Sequence, residues 1–312
     1  MKVLVLGSCV LDIISRTKNT PYGTKMEDVS FSLGGMAYNV YNILEMFNNH
    51  PIFGCPIGTG RIASVVEKML EEKGITPIHK VKDKDNGVCM CFLDEHNDSS
   101  YISKHSAEYV FDKSWFKDID MNEVEYIYIS GLDIEDFYGE YFYGNEIIDF
   151  LKESGKKIFF AMGPRLTFIN KDYLKRMYEL HPIIHINDSE ARRITGLEDI
   201  EKAADYLYRL TDNAVIITLG DKGCYIRDKK KYYVEGYPDI PVDTIGAGDS
   251  HAGTILASLT SHLDLKEAAK LANIIASETI KQVGSNLTIE NFLKAINRYH
   301  ALSGIALYSK RR

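Results

Sequence analysis

Three shortages narrow the range of proteins that this sequence can encode. Its 312 residues contain 37 Lys and Arg against 44 Asp and Glu, a formal net charge of -7, so the basic excess typical of nucleic-acid binders is missing. No apolar run reaches the ~20 residues of a membrane-spanning helix. The five cysteines are odd in number and scattered, which favours reduced thiols over a disulfide framework. We therefore expect a cytoplasmic protein without nucleic-acid or membrane partners.

A fourth missing feature is a glycine-rich turn after the first β-strand candidate, at residues 3–7. The strand leads into Gly7-Ser8-Cys9-Val10-Leu11-Asp12 and not into a Gly-x-Gly-x-x-Gly turn. That turn is the usual signature of dinucleotide binding, so a nicotinamide dehydrogenase is disfavoured. The hydrophobic content of 45% and the charged content of 26% are those of a globular chain with a sizeable core.

Short β-rich runs alternate with amphipathic helical patterns through most of the sequence. This alternation predicts an α/β fold with a doubly wound, mostly parallel sheet that is flanked by helices. Two hairpin-like segments, at about 16–33 and 87–105, interrupt the alternation, and the second contains a polar turn at 95–98. We expect them to form a small β-sheet lid over the cleft. The strands are expected at 3–7, 126–130, 157–161, 183–186 and 214–219, and the helices near 38–47, 62–73, 145–153, 171–180, 200–210, 264–283 and 289–299.

The most informative stretch is Asp243-Thr244-Ile245-Gly246-Ala247-Gly248-Asp249. Apolar residues recur at helical spacing after it, so the glycine turn is predicted to lie at a helix N-terminus, where free N–H groups and the helix dipole favour an anion. A carboxylate at that place suits a general base that takes a proton from a substrate hydroxyl. An N-capping Asp after a glycine turn explains the short motif equally well.

A second glycine pair, Gly34-Gly35, comes just before a predicted helix that contains Asn39. Adjacent glycines let a polyhydroxylated ligand approach the backbone, and Asn39 offers both donors and acceptors. Asp12 follows the first strand, at the edge of an α/β sheet where ligands bind. A tight turn with a surface Asn, and a turn-capping Asp, are the structural alternatives.

Two further motifs follow strand candidates. Asn187 and Glu190 fit a phosphate and magnesium site, but they also form a good capping box. Thr218 and Gly220, followed by Gly223, offer a hydroxyl and exposed amides to a nucleotide, but a plain hairpin turn fits them as well.

In this order, the motifs resemble those of the ribokinase-like, or PfkB, family of carbohydrate and nucleoside kinases. The resemblance extends from about residue 3 to 292 and implies one ribokinase-like kinase domain over residues 1–312. Its most specific element is the signature that ends at Asp249. The resemblance implies that Asp249 is the general base and that Glu190 binds magnesium through water. It further implies an anion hole of Gly246, Ala247 and Gly248, substrate binding by Asp12, Gly34, Gly35, Asn39 and Arg165, and ATP binding by Asn187, Thr218, Gly220, Gly223 and Asn273.

The resemblance further implies that Mg-ATP phosphorylates a hydroxymethyl group of a free sugar. A nucleoside is the alternative acceptor, and a sugar-binding relative without catalysis is disfavoured by the intact Asp249, Gly246, Gly248 and Glu190. Asp243 and Ile245 suit a loop that binds a monovalent cation such as K⁺, although the segment 283–286 matches too loosely to decide. The lid strands suggest a homodimer.

The sequence departs from the family pattern at His251, where Phe is usual. A residue packed under the site is the favoured interpretation, and a hydrogen bond to the substrate is the other. The turn of the lid and the strand before Arg165 also differ from the family pattern. These departures leave the identity of the acceptor open.

Overall fold

The computed structural model describes residues 2–20, 23–94, 99–135 and 143–304 of the chain. In these ranges the backbone forms two β-sheets, with helices around the larger one. The strands are β1 (Lys2–Leu6), β2 (Val10–Thr20), β3 (Gly23–Gly34), β4 (Ile52–Gly54), β5 (Val88–Leu93), β6 (Ser99–Lys104), β7 (Val124–Ser130), β8 (Lys157–Ala161), β9 (Ile183–Asn187), β10 (Val215–Thr218), β11 (Gly223–Arg227) and β12 (Lys231–Glu235). The helices are α1 (Met36–Met46), α2 (Arg61–Glu71), α3 (Gly144–Ser154), α4 (Lys171–Tyr178), α5 (Asp188–Thr195), α6 (Ile200–Thr211), α7 (Ala247–Thr260), α8 (Leu265–Thr279) and α9 (Ile289–Ser303).

The larger sheet has the strand order β12-β11-β10-β9-β8-β7-β1-β4. Neighbouring strands from β4 to β10 are parallel, whereas β10, β11 and β12 pair antiparallel. Val3 and Val5 of β1 pack into the apolar layer on one face, and Leu4 and Leu6 pack into the layer on the other. Because both faces are buried, the predicted doubly wound α/β sheet is confirmed. The parallel strands bring their carboxyl ends to one edge, where the site lies.

Some helix boundaries differ from the predicted ones. The helix expected at 264–283 ends at Thr279, and the Ile280 carbonyl accepts hydrogen bonds from the N–H groups of Val242 and Asp243. That contact joins the end of α8 to the loop before α7. The last helix, expected to end near residue 299, continues to Ser303 and stops at Gly304, whose φ of 67° is left-handed.

The smaller sheet is the lid, with the strand order β3-β2-β5-β6. The β2/β3 and β5/β6 pairs are antiparallel hairpins, and β2 and β5 join them in parallel. Strands β5 and β6 both lie within residues 87–105. The polar turn predicted between them, at 95–98, lies outside the described residues.

The first lid segment begins at Val10, so the expected boundary near residue 16 was placed too late. The start of β2 lies against the body of the protein, and Leu11, Asp12, Ile14 and Ser15 are all buried there. Burial on both sides of the strand removes the alternation by which a half-exposed strand is recognised. As a result Asp12 lies within a lid strand, so the alternative of a turn-capping Asp does not hold.

The helices in the described ranges include none that combines the length and the apolar character needed to cross a membrane.

Candidate active site

A pocket of about 710 Å³ lies between the lid and the carboxyl edge of the larger sheet. It brings together most of the residues that the sequence motifs single out. The predicted site residues on its wall are Asp12, Gly35, Asn39, Arg165, Asn187, Glu190, Thr218, Gly246, Gly248 and Asp249.

One wall of the pocket is the N-terminus of α7. Gly246 is the N-cap residue with φ of 76°, and a Cβ there would lie 2.7 Å from the Cα of Ser285, so only glycine fits. The N–H of Ala247 donates to the Thr244 carbonyl at 3.3 Å. Within the described residues, the N–H groups of Gly248 and Asp249 have no protein acceptor. These two amides at the start of a 14-residue helix can therefore receive an anion.

Asp243 holds the loop that leads into this helix. Its Oδ1 accepts the N–H of Ile245 at 2.9 Å, and its Oδ2 accepts the N–H of Gly284 at 2.8 Å. The carboxylate thus ties the glycine turn to the segment after α8. The sequence suggested a cation-binding role for Asp243 and Ile245, and the structure gives both carboxylate oxygens a backbone donor.

Asp249 lies in the first turn of α7 and faces α1. Its Oδ2 accepts a hydrogen bond from Asn39 Nδ2 at 2.7 Å, and Asn39 Oδ1 accepts one from the Ser285 hydroxyl at 2.9 Å. Burial raises the pKa of Asp249 to about 6, the Asn39 hydrogen bond opposes this rise, and the charge of Glu190 adds to it. A carboxylate with a pKa near neutrality is suited to general-base catalysis.

Asp12 reaches the same pocket from lid strand β2. Burial, followed by the negative charge of Asp249, raises the pKa of Asp12 to about 7. Gly34 does not line the pocket, but a Cβ on Gly34 would lie 1.9 Å from the Asp12 carboxylate. Gly34 therefore makes room for Asp12. Gly35 has φ of 96° and lies against the Ser8 carbonyl at the start of α1.

Asn187 and Glu190 form the capping box of α5 and also line the pocket. Asn187 Oδ1 accepts the Glu190 N–H at 2.8 Å, and Glu190 Oε2 accepts the Asn187 N–H at 3.1 Å. The capping arrangement is thus present, and it aims a buried carboxyl, whose pKa is raised by burial, at the cleft. In the described ranges, no group of three His, Cys, Asp or Glu side chains could hold a metal ion.

The nucleotide residues predicted beyond Thr218 lie away from the pocket wall. Gly220 and Gly223 belong to the hairpin between β10 and β11, and a Cβ on Gly223 would lie 2.1 Å from the Val234 carbonyl. Asn273 is buried in α8 and donates to the carbonyls of Val234 and Glu235. Gly223 and Asn273 thus have close protein contacts, whereas Gly220 has φ of 63° with open space at its Cβ position. Ala247 too is absent from the pocket wall.

Arg165 lines the pocket beside the loop after β8. Its Nε lies 3.0 Å from both carboxylate oxygens of Glu135, and that carboxylate is almost completely buried. Lys104 also lines the pocket, from the end of lid strand β6. The positive charge of Arg165 is therefore largely balanced within the protein.

Sequence reasoning did not single out His185 as a site residue, yet it lines the pocket. His185 precedes Asn187 by two positions on β9. Side chains two positions apart lie on the same face of a strand, so this spacing could have identified His185 as a site residue. His251 is buried and lies beneath the pocket, with Nδ1 2.9 Å from His185 Nε2. Its position agrees with the favoured prediction of a residue packed under the site.

The fold, with its lid and the glycine turn that opens α7, is that of a ribokinase-like phosphotransferase. The model of the pfkB family carbohydrate kinases matches residues 1–291, and the chain belongs to this family. The uncharacterized sugar kinase YegV of Escherichia coli is 25% identical over 293 residues, covering 91% of this chain and 90% of the relative. A deoxyribokinase of Salmonella typhi is 23% identical over 320 residues, covering 97% and 100%.

Solved structures share the fold at lower identity. An adenosine kinase from Sinorhizobium meliloti superimposes with a TM-score of 0.83 at 18% identity, covering 95% of this chain and 99% of its own. A ribokinase from Thermotoga maritima gives a TM-score of 0.75 at 20% identity, covering 94% and 99%. These similarities bear out the predicted family and fold.

Proposed function

We propose that the protein transfers the γ-phosphoryl group of Mg-ATP to a hydroxymethyl group of a free sugar. One observation carries the proposal: the Asp249 carboxylate and the unpaired N–H groups of Gly248 and Asp249 lie at one helix N-terminus, in a pocket that the lid closes with Asp12. A base next to an anion-binding helix end is the pair of features that phosphoryl transfer requires.

In the proposed reaction, Asp12 and Asn39 hold the hydroxyl groups of the acceptor. The acceptor oxygen attacks the γ-phosphorus, the bond from that phosphorus to its bridging oxygen breaks, and ADP leaves with the electron pair. The hydroxyl proton passes to the Asp249 carboxylate. The N–H groups at the start of α7 stabilise the charge on the transferred group.

The donor end of the pocket is assigned to Asn187, Thr218 and Glu190. The bound magnesium ion would neutralise phosphate charge, and Glu190 would orient its water ligands. Gly223 and Asn273 support this region through contacts with β12, and the ATP-binding role of Gly220 stays a prediction. Activation by K⁺ beside Asp243 stays a prediction, to be checked by assays in potassium chloride and in tetramethylammonium chloride.

The charges around the pocket favour an acceptor without phosphate. Of the described residues on its wall, Lys104 and Arg165 are cationic, and Arg165 is paired with Glu135. The carboxyls of Asp12 and Asp249 lie at the same site, and a phosphorylated sugar would meet their negative charge.

A nucleoside is the second candidate acceptor, and the lid side of the pocket supports it. Tyr101, His105 and Tyr109 line this side, with the rings of His105 and Tyr109 stacked at 4.3 Å. Aromatic walls of this kind accept a nucleobase by stacking. A relative in Thermococcus kodakarensis, 33% identical over 117 residues, is a cytidine kinase.

An ADP-release screen separates these candidates. The panel contains D-ribose, 2-deoxy-D-ribose, D-fructose, ribose 5-phosphate, adenosine and cytidine, each with Mg-ATP. Release that depends on a free sugar supports the proposal, and release with adenosine or cytidine alone supports the nucleoside alternative. Preference for ribose 5-phosphate would contradict the charge argument.

We also propose that two copies of the chain pair through the outer face of the lid. The strand register places Phe31, Ile13, Met90 and Ile102 in one row across the four lid strands. The pocket residues Asp12 and Cys89 alternate with this row and face the other way. Phe31 is 58% and Ile102 63% exposed, whereas Ile13 and Met90 are half-buried and Ile13 packs against the main core. The two ends of the row are the apolar surface that we propose a second lid covers.

A further inference from the structure

Two buried histidines lie in contact below the pocket and have no part in the mechanism above. His185 is on β9 and lines the pocket, whereas His251 is on α7 and lies behind it. His185 Nε2 is 2.9 Å from His251 Nδ1, and His251 Nε2 is 3.1 Å from Asn273 Oδ1. The three side chains form a continuous hydrogen-bonded chain from the pocket into the core.

Asn273 determines which atom donates and which accepts in this chain of hydrogen bonds. Its Nδ2 donates to the carbonyl oxygens of Val234 at 3.2 Å and Glu235 at 3.0 Å. A flipped amide would place Oδ1 against those two carbonyls, so Oδ1 must be the atom that faces His251. Because Oδ1 can only accept, His251 Nε2 carries a proton.

The position of the proton on His251 in turn determines where His185 carries its proton. A neutral imidazole has one N–H, so His251 Nδ1 is an acceptor and the proton between the two rings belongs to His185 Nε2. Burial lowers the pKa of both histidines, that of His251 to about 4, which keeps the rings neutral. His185 Nδ1 is therefore left with a free lone pair, and it has no protein partner within the described residues.

We propose that His185 is a specificity-determining residue that offers Nδ1 as a hydrogen-bond acceptor to a hydroxyl of the phosphoryl acceptor. His251 and Asn273 are positioning residues that fix this tautomer. His185 lines the pocket that also contains Asp12 and Asp249, and the proposal places its lone pair on the acceptor side of that pocket. The lone pair favours a substrate group that carries a proton and repels an ionised phosphate, which has none to donate. The assignment rests on the proposed function for the identity of its ligand.

The tautomers are tested without any substrate. Long-range ¹H–¹⁵N NMR of the labelled full-length protein near pH 7 should show unprotonated Nδ1 and protonated Nε2 in both histidines. In His251→Phe, His185 loses its fixed acceptor, and its ¹⁵N shifts should move toward a mixture of tautomers. Ser258→Ala, another change at a buried polar residue of α7, should leave the His185 shifts unchanged. A wild-type His185 with its proton on Nδ1 would overturn the proposal even if the enzyme is active.

Kinetics test the contact with substrate. For the panel compound with the highest turnover, His185→Leu and His251→Phe should each raise the KM of the acceptor about tenfold, the effect of one lost hydrogen bond, with little change in the KM of ATP. His185→Gln, which keeps an acceptor atom, should recover part of the loss. An unchanged acceptor KM in both His185→Leu and His251→Phe would refute the contact. If no compound is phosphorylated, the proposed function fails, and the NMR result still decides the tautomers.

Discussion

Asp249 is the residue on which the proposed chemistry depends. Its carboxylate is half-buried on the pocket wall, accepts a hydrogen bond from the Asn39 amide and has its pKa raised to about 6 by desolvation. At pH 7 such a group is mostly ionised, yet it can still accept a proton in the transition state. Asn39 holds the carboxylate in place because its own amide is oriented by the Ser285 hydroxyl.

Asp249→Asn removes the base with little change in shape. Turnover should fall by roughly 10²–10⁴-fold, the usual contribution of a general base, while ATP binding measured by calorimetry persists. Asp118→Asn, a change at an exposed carboxyl far from the pocket residues, serves as the matched control. Turnover of Asp249→Asn close to that of the control would remove Asp249 from its assigned role.

The acidic side of the pH profile reports on the same group. Protonation inactivates a base, so kcat should fall as the pH is lowered through about 6, whereas kcat/KM also reflects Asp12, whose pKa is about 7, and starts to fall at higher pH. Asn39→Leu removes the hydrogen bond that lowers the pKa of Asp249, so the acidic limb should move to higher pH. Rates measured from about pH 5 to about pH 8 show whether the acidic limb moves in this direction. A limb that moves to lower pH in the variant would contradict the assignment.

Individual site residues could be predicted from the sequence where they belong to a short motif. Gly246 and Asp249 stand out because their spacing is local, whereas the contact between Asn39 and Asp249 joins positions 210 residues apart. His185 has no motif around it, and only the strand period relates it to Asn187. The packing roles of Asn273 and Gly223 depend on β12, a strand that the sequence did not reveal.

At the scale of secondary-structure elements, the N-terminus of α7 contains two glycines that are needed for different reasons. Gly246 has a left-handed φ and touches Ser285, whereas the Cβ position of Gly248 is open to the pocket. The first glycine is thus required by the backbone. The second leaves space where a phosphoryl group would approach the free amides.

Paired alanine substitutions test this division. Gly246→Ala should lower the free energy of unfolding by about 1–3 kcal/mol, because alanine is strained at this φ and meets Ser285. Gly248→Ala should leave stability unchanged or slightly increased but should reduce turnover, since its methyl group enters the anion site. Thermal melting and ADP release, measured on both variants, give the comparison. A destabilised Gly248→Ala variant with normal turnover would refute the anion site.

The elements themselves follow from the sequence to different degrees. Helices with clear amphipathic patterns and caps, such as α6, were predicted within a residue or two. The start of β2 was missed because it is buried on both sides, and the three-residue β4 is too short for any period. Tertiary contacts define both strands.

At the scale of the whole molecule, the lid has one face toward the pocket, and on its other face Phe31 and Ile102 are exposed. If the apolar row on the outer face pairs two chains, light scattering should give twice the mass of one chain. Phe31→Asp combined with Ile102→Asp should give a monomer, because two charges enter the row. Leu293→Asp, at an exposed apolar position of α9, should keep the dimer. A monomeric wild-type protein would exclude this interface.

The order of motifs along the chain made the architecture predictable. Asn187 and Thr218 end parallel strands β9 and β10, whose carboxyl ends lie at one edge of the larger sheet. Their convergence on one pocket agrees with that expectation. The identity of the phosphoryl acceptor could not be predicted in the same way. It depends on the lid and on side chains such as Arg165, whose charge is balanced by the distant Glu135.

The central claim is that the pocket transfers phosphate from ATP to a hydroxyl group. ³¹P NMR of the purified protein with Mg-ATP and the preferred panel compound tests it most directly. We expect a phosphomonoester signal that grows in step with ADP in the wild type and is nearly absent in Asp249→Asn. ADP accompanied only by inorganic phosphate, or equal ester formation by both proteins, would contradict the account.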